Sequence, residues 1–583
     1  MRSVDNSRLP ASLLAHAAAL AVFLLLSAFW AIQFKDKGAE SIRTSDTTDT
    51  FYRIVMEARD LRLPVPASLP AQIWHDQVAA WKSSDLRTLY QAQFDAYLKS
   101  VYLATGDVTN AYKMLAGPFN FIYLLGCYLL FLSVGGGRRL SLAFAVLASF
   151  PVFIPLAGEN FGMGPFTNFS RRHLFTAFVP LVLFLYYRYR DDMRVLPLVF
   201  AFIGFIANLH ASGVLFIEIA VFAYLLRPLP IRTRLANGGV LLLISCAAGF
   251  IALGSVWRII GDFAIKLFAS LVPAAHAASV DLKAGIPVEL QYLFYPPHIY
   301  SYLPEALIHA MSVAVFCLAI LPLLLRRHVS RPTYGNLLFT ASFGILVFLG
   351  FSELKFWLLA ALPVWLSARN REPAPALEMT SLFILAIYFV SFVPTVVFQF
   401  AYFHVADFPL IFNNIRGVRF IGLFVFVWFI ALVRQIGSAR PRRALRYGAA
   451  LFFVIAVFVD VRHLVRDNFR KPANHDETVS FMQAARWVKN NTPADAGFFV
   501  AGSAFGIVAE RGIHLTDKQI RNCPACKQAT LGSDRDSLLK AARDNGTNFA
   551  VLKKARHAVK VNGAIYENDH YAVLPVNLPG GKY

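Results

Sequence analysis

Long apolar runs separated by polar connections extend from residue 9 to residue 460 of the chain. A helix rises about 1.5 Å per residue and the hydrocarbon core of a bilayer is about 30 Å thick, so about 20 apolar residues can cross it, whereas shorter runs need snorkelling ends or sheltering neighbours. The pattern predicts a polytopic α-helical membrane protein with about thirteen transmembrane helices. The predicted spans are 9–34, 115–134, 140–157, 173–187, 195–209, 213–226, 239–257, 306–325, 337–352, 356–367, 379–400, 420–433 and 447–460.

A long polar segment, residues 35–114, follows the first span and begins with the acidic pair Asp46 and Asp49. Its second half repeats apolar residues at helical spacing, from Leu86 to Val101. Such a stripe with a polar back predicts a helix that lies along the membrane surface.

After the last span the composition becomes that of an ordinary soluble domain. Residues 464–583 predict a small α/β module that lacks a phosphate-binding glycine loop and a nucleophile elbow, so a role as a lid or a partner-binding domain is favoured over a separate enzyme. The predicted helices are 476–491, 505–511 and a third that Ser533 or Asp534 starts and that includes 538–544. The predicted strands are 498–501, 513–515 and 549–553, followed by a hairpin of 564–566 with 571–574. We therefore divide the chain into a transmembrane domain, 1–463, which includes the loop 35–114, and this C-terminal domain.

Arginines fix the predicted orientation, because basic residues near span ends resist translocation. Clusters such as Arg188–Arg194, Arg227–Arg234 and Arg326–Arg331 fall on alternate connections. With thirteen crossings these connections and the N-terminus are cytoplasmic, whereas the segment 35–114 and the C-terminal domain are extracytoplasmic. We expect a multi-pass protein of a bacterial inner membrane.

Composition and charge agree with this class. Hydrophobic residues make up 57% and aromatic residues 14% of the 583 residues, and the mean hydropathy is +0.52. The net charge of +21 is spread over short loops, which argues against a nucleic-acid partner. Only Cys523 and Cys526 are placed to pair, and their Cys-Pro-Ala-Cys spacing in a polar loop favours a local disulfide over a redox or metal site.

The layout resembles the GT-C, or C-class, polyprenyl-phosphate-dependent glycosyltransferases. In that family an N-terminal span precedes a long outer loop with acidic residues near its start, followed by many spans and an outer C-terminal domain. Four short stretches are similar to an uncharacterised branch of polytopic bacterial proteins with this plan. They are the Ala207–Gly213 turn, the glycine-rich turn before Arg171-Arg172, Arg416-Gly-Val-Arg419-Phe and the start of the C-terminal domain at Ala485–Ala496. The family often carries adjacent Asp-Glu or Glu-Asp at the loop start, whereas here two threonines separate the aspartates.

Sugar transfer from a lipid phosphate needs a carboxylate to accept the proton of the attacking hydroxyl and cations to stabilise the departing phosphate. Asp46 or Asp49 fits the first need, although Asp49 fits equally the cap of a helix that begins near Phe51. Cations on the outer face are candidates for the second need, and they are Arg171, Arg172, Arg416 and Arg419. Anchoring to lipid headgroups, or pairing with Asp407 and Glu159, is an equally good interpretation of these arginines.

His210 lies between two short apolar runs, where an ionisable group is either a substrate ligand or part of a helical hairpin cap with Asn208 and Ser212. The resemblance implies as partners the lipid bilayer, a polyprenyl-phosphate-linked sugar and a glycan, lipid or protein acceptor. No cofactor is assigned, and a divalent cation stays open. The alternatives to a glycosyltransferase are a transporter or flippase, a polysaccharide polymerase, and a non-catalytic assembly protein of envelope glycan synthesis.

Overall fold

The computed structural model describes well over half of the chain, and everything below concerns those residues. They are 9–36, 48–59, 86–108, 110–149, 155–156, 159–160, 171–210, 212–250, 305–326, 328–348, 375–393, 420–435, 443–444, 447–448, 475–515, 535–554 and 560–576.

The described part of the chain before residue 475 is almost entirely helical. Its helices are α1 (Leu9–Asp36), α2 (Thr48–Ala58), α3 (Leu86–Thr105), α4 (Asn110–Ser133), α5 (Arg138–Ser149), α6 (Arg171–Tyr189), α7 (Leu196–Ala207), α8 (Ser212–Leu225), α9 (Ile231–Ala248), α10 (Glu305–Leu325), α11 (Arg331–Phe348), α12 (Pro375–Ile387) and α13 (Ile421–Gln435). A π-helical turn, Tyr388–Phe392, extends α12. Each of the other predicted spans overlaps one of these helices, whereas 356–367 and nearly all of 447–460 lie outside the described residues.

Among the described helices, one segment, Met114–Ser133 of α4, is both long and apolar enough to cross a membrane, and shorter apolar segments lie in α1, α6, α7, α8, α10, α12 and α13. The number of crossings therefore stays a prediction. One predicted span ends early, because α5 stops at Ser149 and the strands β1 (Pro155–Leu156) and β2 (Glu159–Asn160) then pair antiparallel. Proline has no N–H and disfavours helix at the preceding residue, so Pro151 and Pro155 explain the change.

Two compact units share the chain. One comprises 1–28, 117–165 and 171–461, and the other comprises 29–116, 166–170 and 462–583. The segment 35–114, which the sequence prediction placed in the transmembrane domain, thus groups with the C-terminal module.

The first unit is held together by aromatic side chains that contact one another between helices. Phe144 of α5 packs against Phe426 and Phe429 of α13, and Phe339 of α11 stacks on Trp428 with ring centroids 4.8 Å apart. Such pairs add to the burial of large apolar surfaces.

The second unit contains a five-stranded sheet flanked by helices. Its C-terminal elements are α14 (His475–Asn491), β3 (Gly497–Ala501), α15 (Ser503–Ala509), β4 (Gly512–Leu515), α16 (Arg535–Asp544), β5 (Phe549–Lys553), β6 (Tyr566–Glu567) and β7 (Tyr571–Pro575). The strand order is β4-β3-β5-β7-β6, with β3 parallel to β4 and β5, and β7 antiparallel to β5 and β6. These elements confirm the predicted α/β character and match the predicted bounds within about two residues at most ends.

Alternation along β3 divides the core between the two faces of the sheet. Phe499 belongs to a buried cluster with Leu538 and Leu539 of α16, whereas Phe498 contacts Phe505 of α15 on the opposite face. Successive side chains of a strand point to opposite faces, so both faces of this sheet are covered by helices.

Candidate functional site

The helix α2 carries one of the two predicted catalytic aspartates. It begins at Thr48, so Asp49 lies in its first turn, where backbone N–H groups favour a carboxylate. The alternative prediction, a cap on a helix starting near Phe51, is wrong about the start of the helix by about one turn. The contacts that α2 makes with its neighbours therefore determine the position of Asp49.

Tyr52 fixes α2 to the edge of the sheet. Its side chain is 1% exposed, and its hydroxyl oxygen accepts a hydrogen bond of 2.9 Å from the backbone N–H of Ile513 in β4. β4 is an edge strand of the sheet, and the N–H of Ile513 is paired with a side chain from α2, which is distant in the sequence.

Gly506 of α15 makes room for the Tyr52 ring. A Cβ built on Gly506 would lie 2.7 Å from Cδ2 of Tyr52, which is closer than real side chains allow, and would also overlap the neighbouring ring carbon. The absence of a side chain at Gly506 therefore lets α2 pack directly on α15.

Glu510 forms a second link between the two parts of this unit. It is 3% exposed, and its carboxylate pairs with Arg59, next to the end of α2, and with the Nζ of Lys489 at 2.6 Å. The hydroxyl of Tyr102 in α3 donates a hydrogen bond to the same carboxylate. One buried carboxylate thus joins α2, α3 and α14.

Arg511 holds the turn that presents Glu510. Its guanidinium donates hydrogen bonds to the carbonyl oxygens of Lys489 at 2.9 Å and Thr492 at 2.6 Å, at the C-terminal end of α14. Glu510 itself has a left-handed backbone with φ of 49°. A non-glycine residue in this conformation costs about 1 kcal/mol, so the surrounding contacts must outweigh that cost.

Electrostatics favour the ionised form of Glu510. Burial alone would raise the pKa of this carboxyl, but the hydrogen bonds from Lys489 and Tyr102 and the charges of Lys489 and Arg59 outweigh it and lower the pKa. Burial, together with the hydrogen bond to Glu510, raises the pKa of Tyr102 above the usual range of tyrosine, so its hydroxyl keeps the proton it donates.

Helix α3 completes this arrangement. Leu98 and Tyr102, one turn apart, are 0% and 5% exposed, and α3 packs against α2. Leu98, a residue of the predicted apolar stripe, is therefore buried by protein at the described C-terminal end of α3. Apolar periodicity indicates a buried face but does not identify what covers it.

His514 follows the Tyr52 contact by one residue in β4. Its ring stacks on Phe499 with centroids 4.4 Å apart, and burial lowers its pKa to about 4. At neutral pH the ring is uncharged and behaves as part of the sheet core.

The remaining predicted site residues are described only in part. Arg171 and Arg172 are the first two residues of α6. His210 is half-buried in the turn between α7 and α8, and its carbonyl oxygen accepts a 2.8 Å hydrogen bond from the N–H of Gly213. Asn208 donates to the carbonyl oxygen of Ala248 at 2.9 Å, which ties this turn to the end of α9.

The other predicted residues lie outside the described residues, and they are Asp46, Arg416, Arg419, Cys523 and Cys526. Within the described ranges, no three histidine, cysteine, aspartate or glutamate side chains gather as metal ligands. The candidate acids and phosphate-binding arginines therefore stay predictions.

Sequence reasoning did not anticipate the residues that hold α2. Tyr52, Glu510 and Arg511 carry no motif, and the first is separated from its partner Ile513 by 461 positions. A weak signal was present, since Glu510 and the adjacent Arg511 stand between two apolar segments, where a charged side chain is costly unless it is paired.

Comparison with known proteins assigns no family. No protein family and no curated protein matches the chain. Among solved structures, the apo oligosaccharyltransferase of Archaeoglobus fulgidus aligns at 11% identity and a TM-score of 0.35, covering 92% of this chain and 69% of the other. The same enzyme tethered by a disulfide to an acceptor peptide with the NVT sequon aligns at 12% identity and a TM-score of 0.30, covering 79% and 60%. At these scores neither alignment assigns an activity to this chain.

Proposed function

We propose that this protein is an integral membrane glycosyltransferase that moves a sugar from a polyprenyl-phosphate donor to an acceptor on the outer face of a bacterial inner membrane. The observation that carries the proposal is the attachment of α2, with Asp49 in its first turn, to the C-terminal module through Tyr52 and Glu510. A general base must be held in one position relative to its substrate, and this attachment supplies such a support.

The proposed reaction needs two kinds of group. The hydroxyl oxygen of the acceptor attacks the anomeric carbon, the bond from that carbon to the phosphate oxygen breaks, and polyprenyl phosphate leaves with the electron pair. Asp46 or Asp49 accepts the hydroxyl proton. Cationic side chains stabilise the charge on the leaving phosphate, for which the candidates are Arg171, Arg172, Arg416 and Arg419.

In this proposal the C-terminal module positions the acidic helix and does no chemistry itself. Its buried faces are filled by aromatic and aliphatic side chains of the sheet and its helices, as in a structural domain. His210 has a positioning role in the turn between α7 and α8, consistent with the backbone hydrogen bonds on both sides of it.

Reconstitution tests the reaction class. The full-length protein in phosphatidylcholine vesicles is given undecaprenyl-phosphate hexoses and pentoses labelled in the sugar, together with a glycan and lipid extract of the source cells as acceptor. We expect time-dependent transfer of label to the acceptor and release of undecaprenyl phosphate, with neither in protein-free vesicles. Movement of the intact donor across the bilayer without cleavage of the sugar–phosphate bond would contradict the proposal and favour a flippase.

A further inference from the structure

A cavity of about 460 Å³ opens at one end of the helical unit, where the turns α6–α7, α8–α9 and α10–α11 meet the start of α12. Its volume is in the range of sites for small ligands. Three of the arginine-rich connections identified in the sequence contribute to its wall, and the residues from them are Arg190, Arg227, Arg326 and Arg331.

Part of this positive charge is balanced within the protein. Asp191 pairs with Arg227 and, at 3.3 Å, with Nε of Arg190. Arg227 also donates a 2.8 Å hydrogen bond to the carbonyl oxygen of Arg190. These contacts orient the first two arginines at the cavity wall.

Among the described residues, the other two arginines have no ion-pair partner of this kind. Within the described part of the chain, neither Arg326 nor Arg331 has a carboxylate oxygen within 4.0 Å. Among the described residues that line the cavity, two carboxylates, Asp191 and Glu378, face four guanidinium groups, and Glu378 lies beyond that distance although the charge of Arg331 acts on it. Like charges that converge on one cavity without enough counter-charge favour binding of an anion.

Another part of the cavity wall is apolar. Met379, Leu382 and Phe383 of α12 are each at most 4% exposed and line the cavity together with Tyr186 of α6. A guanidinium cluster beside an apolar wall suits a phosphate group attached to a hydrocarbon or other apolar part.

We propose that this cavity binds a phosphate-bearing anion through Arg326 and Arg331, at the end of the helical unit that the sequence predicts to be cytoplasmic. The anion is either the headgroup of an anionic phospholipid or a soluble phosphate compound, because both present the same oxygens to the guanidinium groups. The site is separate from the acidic helix and does not depend on the proposed transferase activity.

Binding to purified full-length protein tests the site in two arms. The first measures retention of phosphatidylglycerol, supplied from vesicles of phosphatidylcholine and phosphatidylglycerol, by native mass spectrometry. The second measures the shift in thermal unfolding caused by inorganic phosphate. The variant pair R326Q/R331Q removes the charges of these two arginines, and R188Q/R232Q is the matched control because both of its arginines are exposed and neither lines the cavity.

We expect R326Q/R331Q to weaken binding by about tenfold or more in one arm, while the control pair stays within about twofold of the parent protein. Loss in the vesicle arm identifies a lipid headgroup, and loss in the phosphate arm identifies a soluble anion. Equal losses in both variant pairs, or no loss in either, would overturn the proposal. If R326Q/R331Q does not fold, the single variants R326Q and R331Q are compared with R188Q and R232Q by the same criteria.

Discussion

The hydroxyl oxygen of Tyr52 accepts a hydrogen bond of 2.9 Å from the backbone N–H of Ile513, across 461 positions of the chain. Ile513 is 2% exposed, so its N–H has no access to solvent as an alternative partner. The contact joins the helix that carries Asp49 to the edge strand of the C-terminal sheet. It makes the position of that helix depend on a domain that the sequence assigned to a separate unit.

Replacing Tyr52 by phenylalanine tests this link. The ring stays, but the buried N–H of Ile513 loses its acceptor, which costs about 1–3 kcal/mol. Backbone amide hydrogen exchange at Ile513 and in α2 should become faster by the factor that this free-energy cost implies, at about tenfold per 1.4 kcal/mol. Tyr447→Phe, at a residue that is 74% exposed, removes a hydroxyl without this effect. Unchanged exchange in Y52F would show that the hydrogen bond does not hold the helix.

Gly506→Ala should separate α2 from α15. The added methyl group overlaps the buried Tyr52 ring, and overpacking of this kind costs about 1–3 kcal/mol. Gly497→Ala is the matched control, because the nearest atom to its new Cβ lies 3.7 Å away. Limited proteolysis of the loop around α2 should be faster in G506A and unchanged in G497A. Equal proteolysis of the two variants would contradict the close contact.

Glu510→Gln should loosen α2 and α3 together and remove one acid-sensitive step. The folded pKa of Glu510 is lowered, so its stabilising effect is present above the ordinary value of 4.5 and is lost as pH falls through the folded pKa. Glu57→Gln is the control on the same helix, because Glu57 is half-exposed and pairs with Arg53 at 3.0 Å as a surface ion pair worth well under about 1 kcal/mol. Unfolding against pH should lose this step in E510Q and keep it in E57Q. Identical pH curves for both variants would be inconsistent with the proposed role of Glu510.

His514 predicts a second pH dependence in a different range. Its pKa is lowered from 6.5 to about 4, so stability is full above 6.5 and falls by about 3 kcal/mol as pH decreases to 4. His514→Phe should flatten the stability curve between these values. His328→Phe, at an exposed position, should leave the slope as it is. A slope that persists in H514F would assign the titration to another group.

Local patterns predicted most of the secondary structure. Strand β5 was expected at 549–553 and observed there, and α14 ends at Asn491, just before Thr492-Pro493 as expected. In both places the signal is local, because apolar alternation and a following proline act over a few residues. The early end of α5 has an equally local cause in Pro151 and Pro155, which the hydropathy of the run 140–157 concealed.

Long-range contacts could not be predicted in the same way. Nothing near Tyr52 in the sequence indicates Ile513, and nothing near Glu510 indicates Arg59, because these pairs arise from the packing of distant segments. Glu510 also occupies a left-handed position where local preference favours glycine, so its backbone conformation could not be predicted from the residue type. Likewise, the alternation of arginines placed Arg190, Arg227 and Arg326 on one side but gave no sign that they line one cavity.

Sugar transfer by the variants Asp46→Asn and Asp49→Asn, in the vesicles described above, tests the central claim most directly. Loss of a general base lowers the rate by about 100-fold or more, so one of the two variants should lose transfer to that extent. Hydrogen exchange of α2 should stay as in the parent protein, and Asp544→Asn, at the exposed end of α16, should retain full activity. Full transfer by both D46N and D49N would contradict the account.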